Sequence, residues 1–142
     1  MKRLFLDTNI LLDIFLAREP SYTHSAKVFQ LIENKKFRGY LSAASFPTLF
    51  YLLRKNINSE TALKVLLKLR TVVEVSPVDE KVIDLDLTAD FCNYEDAIQY
   101  YSVLAAHCDF LITRNKQDFT NSQIPVMTAE KFLPLLKLKS WS

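Results

Sequence analysis

The chain has 142 residues, of which 49% are hydrophobic and 24% are charged, and its formal net charge is +2. This length and composition predict one globular domain over residues 1–142, and so small a net charge neither indicates nor excludes a nucleic-acid partner. The only glycine, Gly39, excludes the glycine-rich loops of Rossmann and P-loop nucleotide sites. Asp7 and Asp13 interrupt the apolar N-terminus, so we expect no signal peptide. Two widely spaced cysteines are typical of reduced thiols in a cytoplasmic protein.

The first half of the chain predicts two strands and four helices from the spacing of its apolar residues. Residues 2–7 form an apolar strand, and Thr8 or Asn9 can cap the helix that follows. A second helix opens at Pro20, because proline suits the first turn of a helix. The other predicted elements are a strand at 37–41, a helix at 42–55, and a helix that starts at Asn58 or Ser59.

The second half alternates short strands with helices. β-branched residues predict a strand at 71–75, and a helix follows between residues 78 and 89. Asn93 is placed to cap a further helix, which precedes predicted strands at 110–113 and 124–127. Thr128 is placed to cap a closing helix, which Pro134 would disturb.

This alternation predicts an α/β fold, a three-layer α/β/α sandwich around a central parallel sheet of four or five strands. A short helical hairpin is inserted after the second strand. Right-handed crossovers place the first strand beside the strand at 110–113, so Asp7 and Thr113 are predicted to lie at the same edge of the sheet. Asp109 lies at the opposite end of its strand. In open parallel sheets, ligands bind beyond the carboxyl ends of the strands.

Three aspartates fall at this carboxyl edge. Asp7 ends the first strand, Asp96 lies early in the helix after residue 93, and Asp118 follows the strand at 110–113. Each alone has an ordinary explanation, as a helix cap or as part of a loop turn. Together, close carboxylates raise each other's pKa unless a cation neutralises them. Acids without cysteine or histidine suit Mg²⁺ or Mn²⁺, which predicts metal-assisted chemistry on phosphates.

Other polar residues are either candidates to support this site or are explained without it. The supporting candidates are Thr8, Asn9, Glu95, Thr113 and Asn115. The remaining aspartates lie on predicted helices and are interpreted as surface charge: Asp13, Asp79, Asp84, Asp86 and Asp90. The two histidines have no second histidine at metal-binding spacing, so we expect them to be structural or exposed.

Three segments carry a resemblance to a known family. They are Leu-Phe-Leu-Asp-Thr-Asn at 4–9, Tyr-Glu-Asp-Ala at 94–97, and Ile-Thr-Arg-Asn-Lys-Gln-Asp-Phe at 112–119. In this order and spacing they resemble the PIN-domain ribonucleases, and the small size is similar to the VapC-like toxins of bacterial toxin–antitoxin pairs. The likeness runs to about residue 127. It implies a PIN-like α/β/α sandwich whose clustered acids hold Mg²⁺ or Mn²⁺ and cleave RNA.

The resemblance also assigns roles to residues. Asp7, Asp96 and Asp118 match the acids of the family pattern, while Asn9, Thr113 and Asn115 match the polar residues that support them. One position departs from the pattern, because Thr48 stands roughly where the family has a glutamate on the helix after the second strand. A neutral hydroxyl can hold a metal-bound water, but it contributes no charge.

The leading interpretation is therefore a metal-dependent endoribonuclease whose three matched aspartates hold the metal and form the catalytic set. Arg114, Lys116 and Lys55 are candidates for holding RNA phosphates. Thr48 motivates an alternative, a catalytically impaired PIN-like module that binds RNA or protein. A second alternative is a haloacid dehalogenase-type phosphatase, although Asn9 stands where that chemistry usually has a second aspartate. The resemblance further implies a small antitoxin as partner and a homodimer. The longest uncharged stretch, which starts at residue 39, is too short and too polar to span a bilayer, so we expect no membrane association.

Overall fold

The computed structural model describes residues 1–89, 94–119 and 122–137. At its centre is a parallel sheet of five strands in the order β3-β2-β1-β4-β5. The strands are β1 (Arg3–Leu6), β2 (Arg38–Ser42), β3 (Val73–Ser76), β4 (Phe110–Ile112) and β5 (Val126–Met127). The predicted α/β/α architecture is confirmed, and so is the placing of the first strand beside the Phe110 strand.

Helices connect these strands and cover both faces of the sheet. Within the described residues they are α1 (Thr8–Phe15), α2 (Ser21–Glu33), α3 (Ser45–Asn56), α4 (Ser59–Val72), α5 (Glu80–Leu87), α6 (Tyr94–Ala105) and α7 (Ala129–Phe132). Short 3₁₀ turns lie after β4, at Lys116–Phe119, and after α7, at Leu133–Lys137. The helical hairpin predicted after the second strand is formed by α3 and α4.

Side-chain caps define several helix starts. Asn58, Asp79 and Thr128 each accept a hydrogen bond from a backbone N–H in the first turn of α4, α5 and α7. Pro134 follows the end of α7, where the chain continues as a 3₁₀ turn, as expected for a residue without an amide hydrogen. The predicted cap at Asn93 lies outside the described residues.

One helix starts later than predicted. The expectation was a helix from residue 42, but Ser42 is the last residue of β2 and pairs with Ser76 of β3. Its hydroxyl accepts a hydrogen bond from the backbone N–H of Ala44 at 3.1 Å. Serine side chains often bond to nearby backbone in this way at the ends of elements. This bond turns the chain out of the sheet, and α3 begins at Ser45.

The core has two parts because the sheet is covered on both faces. Leu4 and Leu6 pack on the side of α1 and α2, whereas Phe5 faces the opposite side with Tyr100 and Leu111. This division follows from the two-residue period of a strand, and all three β1 side chains are fully buried. Such continuous apolar strands are typical of parallel sheets. Within the described residues, no helix has the length and apolar character needed to cross a membrane.

The register of β1 against β4 determines where the polar residues meet. Leu6 pairs with Ile112, and the backbone N–H of Asp7 donates to the carbonyl of Ile112 at 3.0 Å. Asp7 and Thr113 therefore leave the sheet together at its carboxyl edge. Asp109 lies at the other edge, where its carboxylate accepts from the backbone N–H of Arg3 at 2.8 Å. Both placements agree with the predictions from the sequence.

Candidate metal centre

Asp7 is the most deeply placed acid of the site. It is the residue before α1 and its backbone is extended, but its side chain makes no capping hydrogen bond. Instead, its Oδ2 accepts a hydrogen bond from the hydroxyl of Thr113 at 2.6 Å, and that hydroxyl oxygen accepts from the N–H of Asn115 at 3.1 Å. Burial raises the pKa of Asp7, while the Thr113 hydroxyl and the Thr8 N–H oppose this rise. The carboxylate is thus directed towards β4, and the helix-cap explanation for its side chain is wrong.

Asp96 lies in the first turn of α6 and faces the same edge of the sheet. Its pKa is raised to about 6, mainly by burial and further by the charges of Asp118, Asp7 and Glu95. Asp118 is exposed on the 3₁₀ turn after β4, and its charge also raises the pKa of Asp7. The structure therefore brings all three predicted aspartates within electrostatic reach of one another.

The aspartates do not contribute equally to the cavity at this edge. The cavity has a volume of about 500 Å³, and both Asp7 and Asp96 line it. Its other polar lining residues are Thr8, Asn9, Thr48, Tyr94, Glu95 and Gln99. Asp118 is not among its lining residues. In residues 1–89, 94–119 and 122–137, no three acidic, histidine or cysteine side chains converge closely enough to enclose a metal by themselves. The site is therefore an inner pair of carboxylates with a third at longer range.

Thr48 lies in the first turn of α3 and is exposed to the cavity. Its hydroxyl donates to the carbonyl of Ala44 at 3.4 Å, a weak bond on the helix itself. The wall contributed by α3 therefore presents a neutral group beside Asp7 and Asp96. Glu95, a supporting candidate from the sequence, is exposed and lines the cavity.

A buried polar cluster under the cavity was not predicted from the sequence. The hydroxyls of Thr8 and Ser45 lie 2.7 Å apart, and the Gln99 amide nitrogen donates to Ser45 at 3.1 Å and to Thr8 at 3.4 Å. This cluster ties the starts of α1 and α3 to α6. The Gln99 side-chain oxygen is buried without a hydrogen-bond partner among the described residues. Its position three residues after Asp96 on one helix face is the signal that sequence inspection overlooked.

The predicted basic residues differ in their surroundings. Lys116 and Lys55 are exposed, as expected for phosphate-binding candidates. Arg114 is not simply solvated, because its Nε lies 3.0 Å from a carboxylate oxygen of Asp13. Arg18 approaches the other oxygen of Asp13 at 3.1 Å. Asp13 is fully buried, so its interpretation as surface charge is wrong.

Asp86 was also wrongly interpreted as surface charge. It is only 4% exposed on α5, and neither carboxylate oxygen has a hydrogen-bond partner in the part of the chain that the structure describes. Burial raises its pKa to about 6. Asp79 and Asp84 are exposed, in line with expectation, and Asp79 in addition caps α5, while Asp90 lies outside the described residues.

The histidines and the described cysteine do not compete for a role in the cavity. His24 is partly buried on α2 and His107 is exposed. Cys108 is a buried free thiol whose pKa burial raises to about 12, so it stays protonated at neutral pH. Cys92 lies outside the described residues.

A parallel sheet with acids at its carboxyl edge is the architecture of the family that the sequence resembles. Residues 3–117 match the sequence model of the family described as PIN domain. The chain therefore belongs to the PIN domain family. Over 136 residues it is 29% identical to Ribonuclease VapC1 of Aquifex aeolicus (strain VF5), an alignment that covers 92% of this chain and 93% of the relative.

Solved structures share the fold at lower identity. A DNA-bound VapBC structure from Salmonella typhimurium aligns with a TM-score of 0.66 and 19% identity, over 91% of this chain and 99% of that one. A toxin–antitoxin complex from Klebsiella pneumoniae aligns with a TM-score of 0.66 and 20% identity, over 89% and 97% of the two chains. These likenesses extend the PIN fold over almost the whole chain.

Proposed function

We propose that this chain is a metal-dependent endoribonuclease and the toxin of a toxin–antitoxin pair. Its membership of the PIN domain family and its similarity to Ribonuclease VapC1 support the reaction class. The observation that carries the proposal is that Asp7 and Asp96 line the same cavity. They lie close enough that the charge of Asp7 raises the pKa of Asp96. A nuclease site needs such a concentration of negative charge to attract a cation.

The side chains around the cavity fit Mg²⁺ or Mn²⁺. All the candidate donors are oxygens, from carboxylates, hydroxyls and the Asn9 amide. Mg²⁺ usually binds through one or two carboxylates and keeps several waters, so an inner pair of Asp7 and Asp96 suffices, with Asp118 supplying charge from further away. A bound divalent ion would supply a water of lowered pKa and would stabilise negative charge on the phosphodiester oxygens.

The chain's own residues prepare the site for this chemistry. Thr113 donates to Asp7 and favours its ionised form, which the buried position otherwise disfavours. Gln99 holds the starts of α1 and α3 against α6 through its hydrogen bonds to Thr8 and Ser45, and this favours a constant spacing of the inner carboxylates. One of the carboxylates at the cavity would accept the proton that the attacking water loses.

Asp7→Asn tests this proposal. The substitution keeps the shape of the side chain and an acceptor for Thr113, and it removes a charge that burial disfavours, so the fold is expected to survive. RNA cleavage at saturating Mn²⁺ should fall at least about a hundredfold, and calorimetry should show weaker Mn²⁺ binding. Asp84→Asn, an exposed aspartate on α5, is the control and should cleave normally. Cleavage by Asp7→Asn at the wild-type rate would refute the assignment.

Thr48 favours a second candidate function, a catalytically impaired PIN module that binds RNA or protein. The α3 wall of the cavity is neutral where the family pattern has a glutamate. Thr48→Glu separates the two candidates, since it adds a third carboxylate beside Asp7 and Asp96. If the wild-type chain binds Mn²⁺ weakly and shows no cleavage, while Thr48→Glu gains both, the impaired module is correct. If the wild type already cleaves RNA, the nuclease proposal stands.

We assign the antitoxin contact to the exposed apolar face of the α3–α4 hairpin. Leu63 and Leu67 of α4 are 54% and 70% exposed there and line a hollow of about 450 Å³ together with Phe46 of α3. Contiguous exposed apolar surface of this kind marks interaction sites. The homodimer implied by the family resemblance is the competing occupant. Light scattering of the purified chain distinguishes the two occupants. If the chain is a dimer and the Leu67→Glu variant is a monomer, the face binds a second copy of the chain rather than the antitoxin.

A further inference from the structure

We propose that Arg18 and Arg114, held by the buried carboxylate of Asp13, form a subsite for a backbone phosphate of single-stranded RNA next to the acidic cavity. The inference rests on the proposed ribonuclease function, and it adds a substrate-binding element to it. The subsite consists of one acid from the interior of α1, one arginine from the loop after α1 and one arginine from the loop after β4.

The three side chains form a specific arrangement. Asp13 is fully buried, and each of its oxygens faces one guanidinium: Oδ1 lies 3.1 Å from the Nε of Arg18, and Oδ2 lies 3.0 Å from the Nε of Arg114. The backbone N–H of Arg18 also donates to the carbonyl of Asp13 at 2.9 Å. Ala17, with a positive φ of 51°, turns the chain so that Arg18 returns to the helix. Arg18 is therefore anchored to Asp13 at two points.

This arrangement leaves cationic groups available. Both arginines approach Asp13 through Nε, and no hydrogen bond within the described parts of the chain uses a terminal nitrogen of Arg18 or Arg114. Their side chains are 45% and 40% exposed. One arginine would neutralise the buried carboxylate, so the second leaves one net positive charge at the surface.

The subsite lies beside the proposed reaction centre. Arg114 directly follows Thr113, whose hydroxyl binds Asp7, and the positive charge of Arg114 acts on Asp7 by lowering its pKa. Arg114 also lines a hollow of about 340 Å³. The remaining polar lining of that hollow is Ser21, His24, Ser25, Thr128 and Glu130. Arg114 therefore acts on the acidic cavity through its charge on Asp7 and also lines a hollow with room for a phosphate.

Arginine is suited to this role. Its planar guanidinium offers paired N–H groups that match phosphate oxygens, which a lysine does not. Asp13 restrains both side chains, Arg18 through a hydrogen bond and Arg114 through an ion pair without a hydrogen bond, so binding a phosphate loses less side-chain freedom than it would at two mobile arginines. If Asp13 positions the arginines, the expected effect of removing it differs from that of simple charge attraction. Loss of Asp13 should weaken RNA binding even though the surface becomes more positive.

The test measures RNA binding without cleavage. Asp7→Asn is the background, and the probe is a fluorescein-labelled single-stranded RNA of randomised sequence, followed by anisotropy over a range of salt concentrations. Arg18→Gln and Arg114→Gln should each weaken binding by about tenfold. Each should also lower the slope of log affinity against log salt by about 0.7, as expected for one phosphate contact on a single strand. Asp13→Asn keeps only one acceptor oxygen and should also weaken binding.

A matched control and three outcomes decide the inference. Arg38 is 42% exposed and ion-paired with Glu74 at the opposite edge of the sheet, so Arg38→Gln should leave affinity and salt slope unchanged. The subsite is refuted if Arg18→Gln and Arg114→Gln have the same salt slope as the Asp7→Asn background. It is also refuted if a folded Asp13→Asn variant binds RNA more tightly than that background. The arginine variants keep the test valid if Asp13→Asn unfolds. Reduced slopes together with a wild-type chain that cleaves no RNA would retain the subsite and reject the nuclease proposal.

Discussion

Asp86→Asn is expected to stabilise the protein at neutral pH. Asp86 is 4% exposed on α5 and its carboxylate has no hydrogen-bond partner in the described residues. A buried charge without a partner favours unfolding, since water solvates the carboxylate in the unfolded chain. An amide of the same shape carries no charge, so it avoids most of this cost.

The magnitude follows from the pKa of Asp86, which burial raises from 3.8 to about 6. The folded state therefore binds the proton more tightly than the unfolded state, and the free energy of unfolding falls as pH rises between these values. Two pKa units correspond to about 3 kcal/mol at pH 7. The amide of the variant is also left without partners, which lowers the expected gain to about 2 kcal/mol. Below about pH 4 the carboxyl is neutral in both states, and the gain should vanish.

Urea unfolding at neutral pH and near pH 4.5 measures this effect. Asp84→Asn is the control, because Asp84 lies on the same helix but is exposed, and its substitution should change stability by less than about 0.5 kcal/mol. The expected result is a higher urea midpoint for Asp86→Asn at neutral pH, with the difference shrinking towards low pH. A destabilised variant, or a gain independent of pH, would show that Asp86 is not an uncompensated charge.

Three further predictions concern packing, the site and the partner. Gly39→Ala should lose about 1 to 3 kcal/mol of stability, because the new Cβ would lie 2.8 Å from Ile32, and an unchanged melting temperature would contradict this. Thr113→Val removes the hydroxyl whose hydrogen bond lowers the pKa of Asp7. In EDTA the variant should therefore lose about 2 kcal/mol of unfolding free energy at pH 8 and less at pH 5, and equal losses at the two pH values would contradict this. Leu67→Glu should leave the melting temperature unchanged and abolish antitoxin binding in a pull-down, and retained binding would move the contact elsewhere.

The sheet and its edge were predictable from the sequence because they follow from local patterns. The apolar run that ends at Asp7 and the one that ends at Thr113 each predict a buried strand, and right-handed crossovers bring them together. The resulting contact is the 2.6 Å hydrogen bond between those two residues. The start of α3 was missed by three residues, since serines occur both at strand ends and at helix starts, and Ser42 and Ser45 offered two similar boundaries.

The burial of Asp13 and Asp86 is indicated by their positions on the helices and not by their residue type. Asp13 lies three residues after Ile10, and Asp86 lies four residues after Val82, so helical periodicity places both on apolar faces. Aspartates are rarely buried without a partner, which favoured the surface interpretation. Of the two arginines that compensate the charge of Asp13, Arg114 comes from a distant segment, and Arg18 lies only five residues away but reaches Asp13 through the turn at Ala17 rather than along the helix.

The end of β4 links the proposed chemistry to the proposed phosphate subsite. Thr113 holds Asp7, and the next residue, Arg114, holds Asp13. The pairing of Leu6 with Ile112 and the bond from the Thr113 N–H to the Met127 carbonyl at 3.0 Å fix this segment between β1 and β5. Because side chains alternate in direction along a strand, a slip of one residue would turn the arginine towards Asp7 and the hydroxyl away from it. The same register therefore has to position the metal-binding carboxylate and the phosphate-binding arginine, so disturbance of β5 should impair cleavage and RNA binding together.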